Sequence, residues 1–127
     1  MAKTVMIVDD DSGVQNLYGP YFKSKGYDVK AAFDGKEALA ILEKEKVDLI
    51  LLDLAMPELT GEELMERIVK NPEWKDIPIV IESALGPETG RPQKIKKQFT
   101  GKLNFVFFQR PSSLEEVNET IRRLLVL

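Results

Sequence analysis

Aspartates follow two of the short apolar segments in this sequence. Asp9, Asp10 and Asp11 come directly after the first segment, and Asp53 comes directly after the third. Carboxylates crowded at one edge of a sheet repel one another unless one is protonated or a cation joins them. Oxygen ligands of this kind suit Mg²⁺, which binds one or two carboxylates together with waters and phosphate oxygens. With such a cation in place, Asp53 is a candidate nucleophile toward a phosphorus centre.

Polar side chains also follow two further apolar segments. Ser83 comes after Glu82 at the end of the fourth segment, and Arg110 comes after Gln109 at the end of the fifth. Ligands of an open α/β sheet bind beyond the carboxyl ends of its strands, so we expect these residues near the aspartates. The Ser83 hydroxyl and the Arg110 guanidinium are candidates to hold phosphoryl oxygens. Aspartates before a helix also serve as caps, which is the interpretation we favour for Asp11.

The composition excludes several kinds of chemistry. The chain has 127 residues, enough for one compact domain, and it contains neither cysteine nor histidine. Disulfides, thiolate catalysis, cysteine-based zinc sites and histidine bases are therefore ruled out. A net charge of −3 is too small to predict binding to nucleic acid or to an acidic membrane. No apolar run has the length of a membrane span and the N-terminus lacks a signal-peptide pattern, so we expect a cytoplasmic protein.

Alternating strand and helix patterns predict the fold. Four short apolar segments have the continuous character of strands buried on both faces of a parallel sheet: residues 5–8, 49–52, 77–81 and 105–108. A weaker segment over residues 27–33 mixes charged and apolar residues and predicts an edge strand. Helical patterns separate these segments. The order of strand and helix, repeated five times, predicts a doubly wound α/β domain with right-handed crossovers.

Capping signals mark the starts of the helices. Four pairs have the spacing of a capping box, in which two side chains satisfy free amides reciprocally: Ser12 with Gln15, Asp34 with Glu37, Thr60 with Glu63, and Ser113 with Glu116. Pro20 falls inside the first helix, where a proline kinks or splits a helix. The stretch from Ser83 to Lys102 is rich in glycine and proline. We therefore expect the fourth helix to be confined to residues 93–99.

These residues together resemble the receiver domain of bacterial response regulators, the CheY-like family. The resemblance covers almost the whole chain and rests on motifs at four strand ends: Val8-Asp9-Asp10, Leu52-Asp53 with Met56-Pro57 and Gly61, Ser83-Ala84, and Arg110-Pro111. It implies a flavodoxin-like, five-stranded parallel sheet in the order 2-1-3-4-5, flanked by about five helices.

The resemblance also implies a role for each residue of the site. Asp53 would be the phosphoacceptor. Mg²⁺ would be bound by Asp53, by Asp10, by Asp9 acting through water, and by the backbone carbonyl of Ala55. Ser83 would contact the phosphoryl group and move on activation.

Three features depart from the pattern of the family. Arg110 stands where the family has lysine, and its planar, forked guanidinium is not a neutral replacement at a tight site. It either grips the phosphoryl oxygens at two points or forms a salt bridge to Asp53 that obstructs the site. The segment from Ser83 to Arg110 is several residues longer than in the family. Gly19-Pro20 interrupts the first helix, a surface on which related domains often meet their kinase.

The leading hypothesis is a phosphorylation-driven signalling module and not an enzyme, apart from self-catalysed phosphorylation and dephosphorylation. A histidine kinase or phosphotransfer protein would donate the phosphoryl group, and modified Asp53 would bias a two-state surface formed by the last helices and the fifth strand. Phe107 matches the aromatic switch position that rotates inward when the hydroxyl of Ser83 moves. We expect one domain over residues 1–127, without an output domain, that acts as a monomer or weak dimer on an unknown downstream protein.

Three alternatives remain open. The first is a receiver-like interaction module that is independent of phosphorylation because Arg110 occupies the site permanently. The second is a haloacid-dehalogenase-type phosphatase, because Asp9 and Asp11 have the D-x-D spacing of that family, although the chain leaves no room for a cap domain. The third is a flavin carrier of similar fold, whose phosphate would face three aspartates in place of a loop rich in glycine or hydroxyl groups. The sequence leaves the cognate kinase and the process controlled undetermined.

Overall fold

Five strands alternate with five helices in the computed structural model, which describes residues 2–54, 60–83, 89–109 and 112–126. The elements are β1 (Thr4–Val8), α1 (Ser12–Ser24), β2 (Asp28–Ala32), α2 (Gly35–Lys44), β3 (Leu49–Leu52), α3 (Gly61–Val69), β4 (Ile79–Ser83), α4 (Arg91–Phe99), β5 (Phe105–Gln109) and α5 (Leu114–Leu125). The alternation that the sequence patterns predicted is confirmed.

All five strands are parallel and form one sheet in the order β2-β1-β3-β4-β5. Val8 pairs with Ala32 on one side and with Leu52 on the other. Leu52 pairs in turn with Ile81 of β4, so four strands end close together at the carboxyl edge of the sheet. The predicted strand order is confirmed, and the order changes direction between β1 and β3, where open sheets of this kind bind ligands.

Two apolar cores cover the two faces of the sheet. Helices α2, α3 and α4 pack on one face through the largest buried cluster, which includes Leu42, Leu64 and Phe99. Helices α1 and α5 pack on the other face, where Phe22 and Ile121 are fully buried. The sheet is therefore sandwiched between helices, which is why β1, β3 and β4 read as continuous apolar runs.

The two edge strands are less buried than the central ones. In β2 the exposed and half-buried positions confirm the predicted edge strand. In β5, residues Phe105 to Phe108 are half-buried. The prediction that this segment is buried on both faces is wrong, because β5 pairs only with β4 and forms the other edge of the sheet.

Helix α1 differs from the sequence prediction at two points. It runs through Pro20 without splitting. Position 20 would normally donate to the carbonyl of Asn16, and both residues lie on the exposed face, where water can satisfy that carbonyl. The N-cap is Asp11, whose side chain accepts from the amides of Gly13 and Val14, so the predicted Ser12 capping box is wrong.

Helix α4 begins earlier than the sequence indicated. It starts at Arg91, two positions before the predicted 93–99 segment, and follows Gly90, which has a φ of 75°. A left-handed residue of this kind favours glycine. Pro92 lies in the first turn, where its missing amide and fixed φ are compatible with a helix. None of the helices in the part of the chain that the structure describes has the length and apolar character needed to cross a bilayer.

Candidate functional site

The carboxyl edge of the sheet brings the aspartates of two strands side by side. The backbone amide of Asp53 donates to the carbonyl of Val8 at 2.9 Å, and the amide of Asp9 donates to the carbonyl of Ala32 at 3.0 Å. These bonds continue the parallel ladders by one residue beyond β1 and β3. Asp9 and Asp53 are therefore held by backbone contacts that the sheet itself imposes.

Three carboxylates form one cluster at this edge. One carboxylate oxygen from each of Asp9, Asp10 and Asp53 lies within 4.8 Å of those of the other two residues. The Asp9 and Asp53 residues are only 2% and 9% exposed, whereas Asp10 is exposed to solvent. The cluster is therefore covered by protein at Asp9 and Asp53 and open to solvent at Asp10. Carboxylate oxygens are the ligands that suit a hard divalent cation.

The aspartates next to one another in the sequence have different roles. The backbone amide of Asp11 donates to Oδ1 of Asp9 at 2.9 Å, which orients that buried carboxylate. The Asp11 carboxylate itself turns away to cap α1, accepting from the amide of Gly13 at 2.7 Å. The interpretation of Asp11 as a helix cap is confirmed.

Gln15 supports the cluster from the first turn of α1. Its Nε2 group donates to the carbonyls of Ile7, Asp9 and Ala32 at 3.0, 3.1 and 3.1 Å, and the residue is 7% exposed. All three partners are carbonyl oxygens, which only accept hydrogen bonds. The group of Gln15 that faces them must therefore be the Nε2 amide and not the Oε1 oxygen. Gln15 therefore joins α1 to the ends of β1 and β2 directly beneath the aspartates.

Ser83 and Glu82 lie at the end of β4 and are both buried. Ser83 is 2% exposed and pairs with Gln109 of β5. Glu82 is 1% exposed and accepts hydrogen bonds from the hydroxyls of Tyr18 and Ser112, the latter at 2.6 Å. The structure thus places the predicted hydroxyl residue at the same edge as the aspartates, with a buried acid next to it in the chain.

Helices α3 and α4 close over the end of β3. The amide of Gly61 donates to the carbonyl of Leu54 at 3.1 Å, and a Cβ at position 61 would lie 2.9 Å from Leu54 Cα. The same carbonyl accepts from Nη2 of Arg91 at 3.3 Å. The Arg91 guanidinium also forms a two-point pair with Glu62. This hydrogen bond to Glu62 raises the pKa of Arg91, and the negative charge of Asp53 contributes in the same direction.

Two of the predicted site residues, Ala55 and Arg110, lie outside the described residues. Phe107, the predicted switch residue, is half-buried in β5. Its ring contacts Phe105 edge-on with centroids 6.2 Å apart, and Nζ of Lys96 lies 5.8 Å from its centroid.

The family of this chain follows from a comparison with known proteins. Residues 5–104 match the model of the response regulator receiver domain. The chain belongs to the response regulator receiver family. This receiver is also 32% identical over 127 residues to the sporulation initiation phosphotransferase F of Bacillus subtilis (strain 168), a match that covers all of this chain and 97% of that protein. The resemblance inferred from the motifs is confirmed.

Solved receivers have the same fold. The chemotaxis response regulator CheY4 of Vibrio cholerae superposes with a TM-score of 0.84 at 26% identity, over 98% of this chain and all of that one. The receiver domain of a sensor histidine kinase from Pseudomonas aeruginosa superposes with a TM-score of 0.80, over 98% of each chain. At 20% identity it shows the fold alone, and that structure has a magnesium ion coordinated in its active-site cleft.

Membership of the receiver family places this protein among signalling domains and not among conventional enzymes. The phosphatase and flavin-carrier alternatives belong to other families and no longer apply. Three residues around the receiver site were given no role in that site from the sequence. Glu82 carried one signal, an acid inside an apolar strand. Gln15 was assigned to a capping box, and Arg91 had only the neighbouring Gly90 and Pro92 to mark a helix start.

Proposed function

We propose that Asp53 accepts a phosphoryl group while Mg²⁺ is held by Asp9, Asp10, Asp53 and the backbone carbonyl of Ala55. The observation that carries this proposal is the cluster of three carboxylates whose oxygens lie within 4.8 Å of one another. Their mutual repulsion is relieved by a divalent cation. Receiver domains bind Mg²⁺ at an acidic site of this kind, which supports the same assignment here.

The chemistry asks little of the protein beyond positioning. One oxygen of Asp53 forms a bond to phosphorus as the bond from phosphorus to the leaving group of the donor breaks, and the leaving group keeps the electron pair. A carboxylate nucleophile has no proton to lose during the attack, so the reaction needs no general base and is compatible with a chain that lacks histidine. Bound Mg²⁺ would supply charge neutralisation on the transferring group.

Two further side chains hold the phosphoryl oxygens in this proposal. Ser83 donates a hydrogen bond from its hydroxyl to one oxygen, and Arg110 pairs with another. The Asp53 backbone is fixed to Val8 by its 2.9 Å hydrogen bond, so the nucleophile needs little reorganisation. Modification then biases the contacts of Ser83 and Phe107 and changes the surface that partners bind.

The donor in this proposal is a histidine kinase or a phosphotransfer protein, and the recipient of the signal is a further protein. The proposal treats residues 1–127 as one receiver domain. It is supported by the 32% identity, along the whole chain, to a protein named as a phosphotransferase. The departure at position 110 does not change the donor class, because the donor group approaches phosphorus from the side opposite Asp53.

A second candidate function is favoured by one observation, the arginine at position 110 in place of the family's lysine. In this alternative the Arg110 guanidinium pairs with Asp53 permanently and takes the place of the phosphoryl group. The domain then binds its partner without modification.

Beryllofluoride, which mimics a phosphoryl group on aspartate, separates the two candidates. We would measure its Mg²⁺-dependent binding by NMR and the mass gained with acetyl phosphate, for wild type, Asp53→Asn and Arg110→Lys. An adduct on wild type that is absent from Asp53→Asn supports phosphoacceptance. No adduct on a folded wild type, with an adduct gained by Arg110→Lys, supports the phosphorylation-independent module.

A further inference from the structure

A buried acidic network lies beside the proposed phosphoacceptor and takes no part in the steps above. The Glu82 carboxylate accepts from the hydroxyl of Tyr18 through Oε1 and from the hydroxyl of Ser112, at 2.6 Å, through Oε2. Tyr18 belongs to α1, Glu82 to β4, and Ser112 to the segment that precedes α5. One carboxylate therefore joins three elements that approach the carboxyl edge of the sheet.

A network of this kind is a poor means of stabilising a core. A carboxylate with 1% exposure has lost its hydration, and contacts made inside a core commonly offset that loss only in part. Its neighbour on the same face of β4, Val80, packs in the apolar core formed with α1 and α5. Replacing buried ionic groups by apolar ones of similar volume is often neutral or stabilising. The stability of the domain therefore does not explain an acid at position 82.

The position of the network suggests what it does. Tyr18 and Glu82 line the same narrow gap as Asp9 and Asp53, and this gap is too small to hold a water molecule. Ser83, the proposed hydroxyl ligand of the phosphoryl group, directly follows Glu82 in the chain. Ser112 follows the proposed cation, Arg110, by two residues. The network thus connects to both proposed phosphoryl contacts through very short stretches of backbone.

We propose that Glu82 is a positioning residue, which anchors the end of β4 and Ser112 to α1 through the hydroxyls of Tyr18 and Ser112, and so aligns Ser83 with Asp53. This inference rests on the proposed function. Glu82 does not touch the reacting atoms; it acts through Ser83, the residue next to it. Outer partners of metal ligands change metal affinity or activity by about 10- to 100-fold, and we expect an effect at the lower end of that range here.

The test removes one hydroxyl at a time and keeps the charge of Glu82. Tyr18→Phe and Ser112→Ala each delete a single donor, and Tyr21→Phe is the matched control, because Tyr21 is on the same helix and packs against Phe22 outside the network. For each variant we would measure the beryllofluoride affinity at saturating Mg²⁺, the rate of phosphorylation by acetyl phosphate, and the urea midpoint.

Positioning predicts a pattern that loss of stability alone does not. Without urea, a variant that is only less stable is still folded. A merely structural role therefore leaves the beryllofluoride affinity and the phosphorylation rate unchanged. We expect Tyr18→Phe and Ser112→Ala each to lower the beryllofluoride affinity and the phosphorylation rate by about tenfold. Tyr21→Phe should match wild type in both measurements. The double variant should lose less than the product of the single effects, because both hydroxyls act through one carboxylate. Wild-type values in the single variants would overturn the inference.

A measurement on the unmodified protein distinguishes failure of the inference from failure of the proposed function. In this arm of the experiment, amide hydrogen exchange is compared at Ser83 and Ser113, with Leu51 in the centre of the sheet as the reference. We expect Tyr18→Phe to speed exchange at the first two amides and to leave Leu51 unchanged. If wild type forms no adduct, the proposed function fails and this arm alone decides. Unchanged exchange at Ser83 then overturns the positioning role.

Discussion

The guanidinium of Arg91 forms a two-point ion pair with the carboxylate of Glu62, with Nε and Oε2 2.8 Å apart. The pair joins the first turn of α4 to the first turn of α3, and the same guanidinium donates to the carbonyl of Leu54, next to Asp53. This pair therefore anchors the start of α4 beside the proposed phosphoacceptor.

Arg91→Lys should weaken this anchor. Lysine is a point charge that cannot reproduce the forked contact, and the pair is partly shielded, with side chains 30% and 27% exposed. We expect a loss of about 1 kcal/mol in the free energy of unfolding, smaller at high salt. Urea denaturation at two salt concentrations measures it. Arg122→Lys, in an exposed pair with Glu119, is the control and should change little. Equal losses in both variants would show that the Arg91 geometry adds nothing.

Gly61→Ala should disturb the end of β3. The added methyl group would lie 2.9 Å from Leu54 Cα and 3.0 Å from the carbonyl oxygen of Asp53, and backbone atoms cannot yield as a flexible side chain does. We expect a loss of about 1–3 kcal/mol in the free energy of unfolding, together with weaker Mg²⁺ binding. Thermal and urea unfolding measure the first effect, and an NMR titration the second. Gly19→Ala meets no atom within 4 Å and serves as the tolerated control. A Gly61→Ala variant as stable as wild type would contradict the close approach of α3.

Asp10→Asn and Asp11→Asn should separate metal binding from helix capping. Asp10 shares the carboxylate cluster, whereas the Asp11 side chain caps α1. Asp10→Asn removes a proposed ligand and should lower the Mg²⁺ affinity by at least about tenfold. Mutating a residue that only supports a metal ligand already lowers metal affinity by about 10- to 100-fold. Asparagine caps helices as well as aspartate does, so Asp11→Asn should retain most of the affinity. Calorimetric titration with Mg²⁺ compares them. Equal losses would mean that the cluster attracts the cation only through its total charge.

Gln15→Met should lower the free energy of unfolding more than the similar volumes of the two side chains suggest. The variant keeps the volume of the side chain but removes the donor shared by the carbonyls of Ile7, Asp9 and Ala32. We expect a loss of about 2 kcal/mol in the free energy of unfolding and a shifted Asp9 resonance. Gln98→Met, on an exposed residue bonded to Glu66, should stay within about 0.5 kcal/mol of wild type. If Gln15→Met is equally tolerated, the three contacts contribute no net stability.

The sequence by itself determined the succession of strands and helices along the chain, the class of the sheet and the meeting of Asp9, Asp10 and Asp53. Each of these depends on local information: apolar periodicity identifies strands and helices, and parallel strands must present their carboxyl ends at one edge. The family motifs lie at those same strand ends. The residues that carry the proposed chemistry were therefore identifiable before any contact was known.

Only the tertiary structure decided the partners of the side chains that support those residues. Gln15 had the spacing of a capping box with Ser12, yet its amide binds three carbonyls from β1, β2 and the turn beyond. Glu82 meets Tyr18, which lies far from it in the sequence, and Arg91 meets Glu62. The half-burial of β5 likewise follows from its place at the edge of the sheet. Such contacts depend on how the helices pack on the sheet, and local sequence patterns do not encode which distant side chain will lie within hydrogen-bond distance.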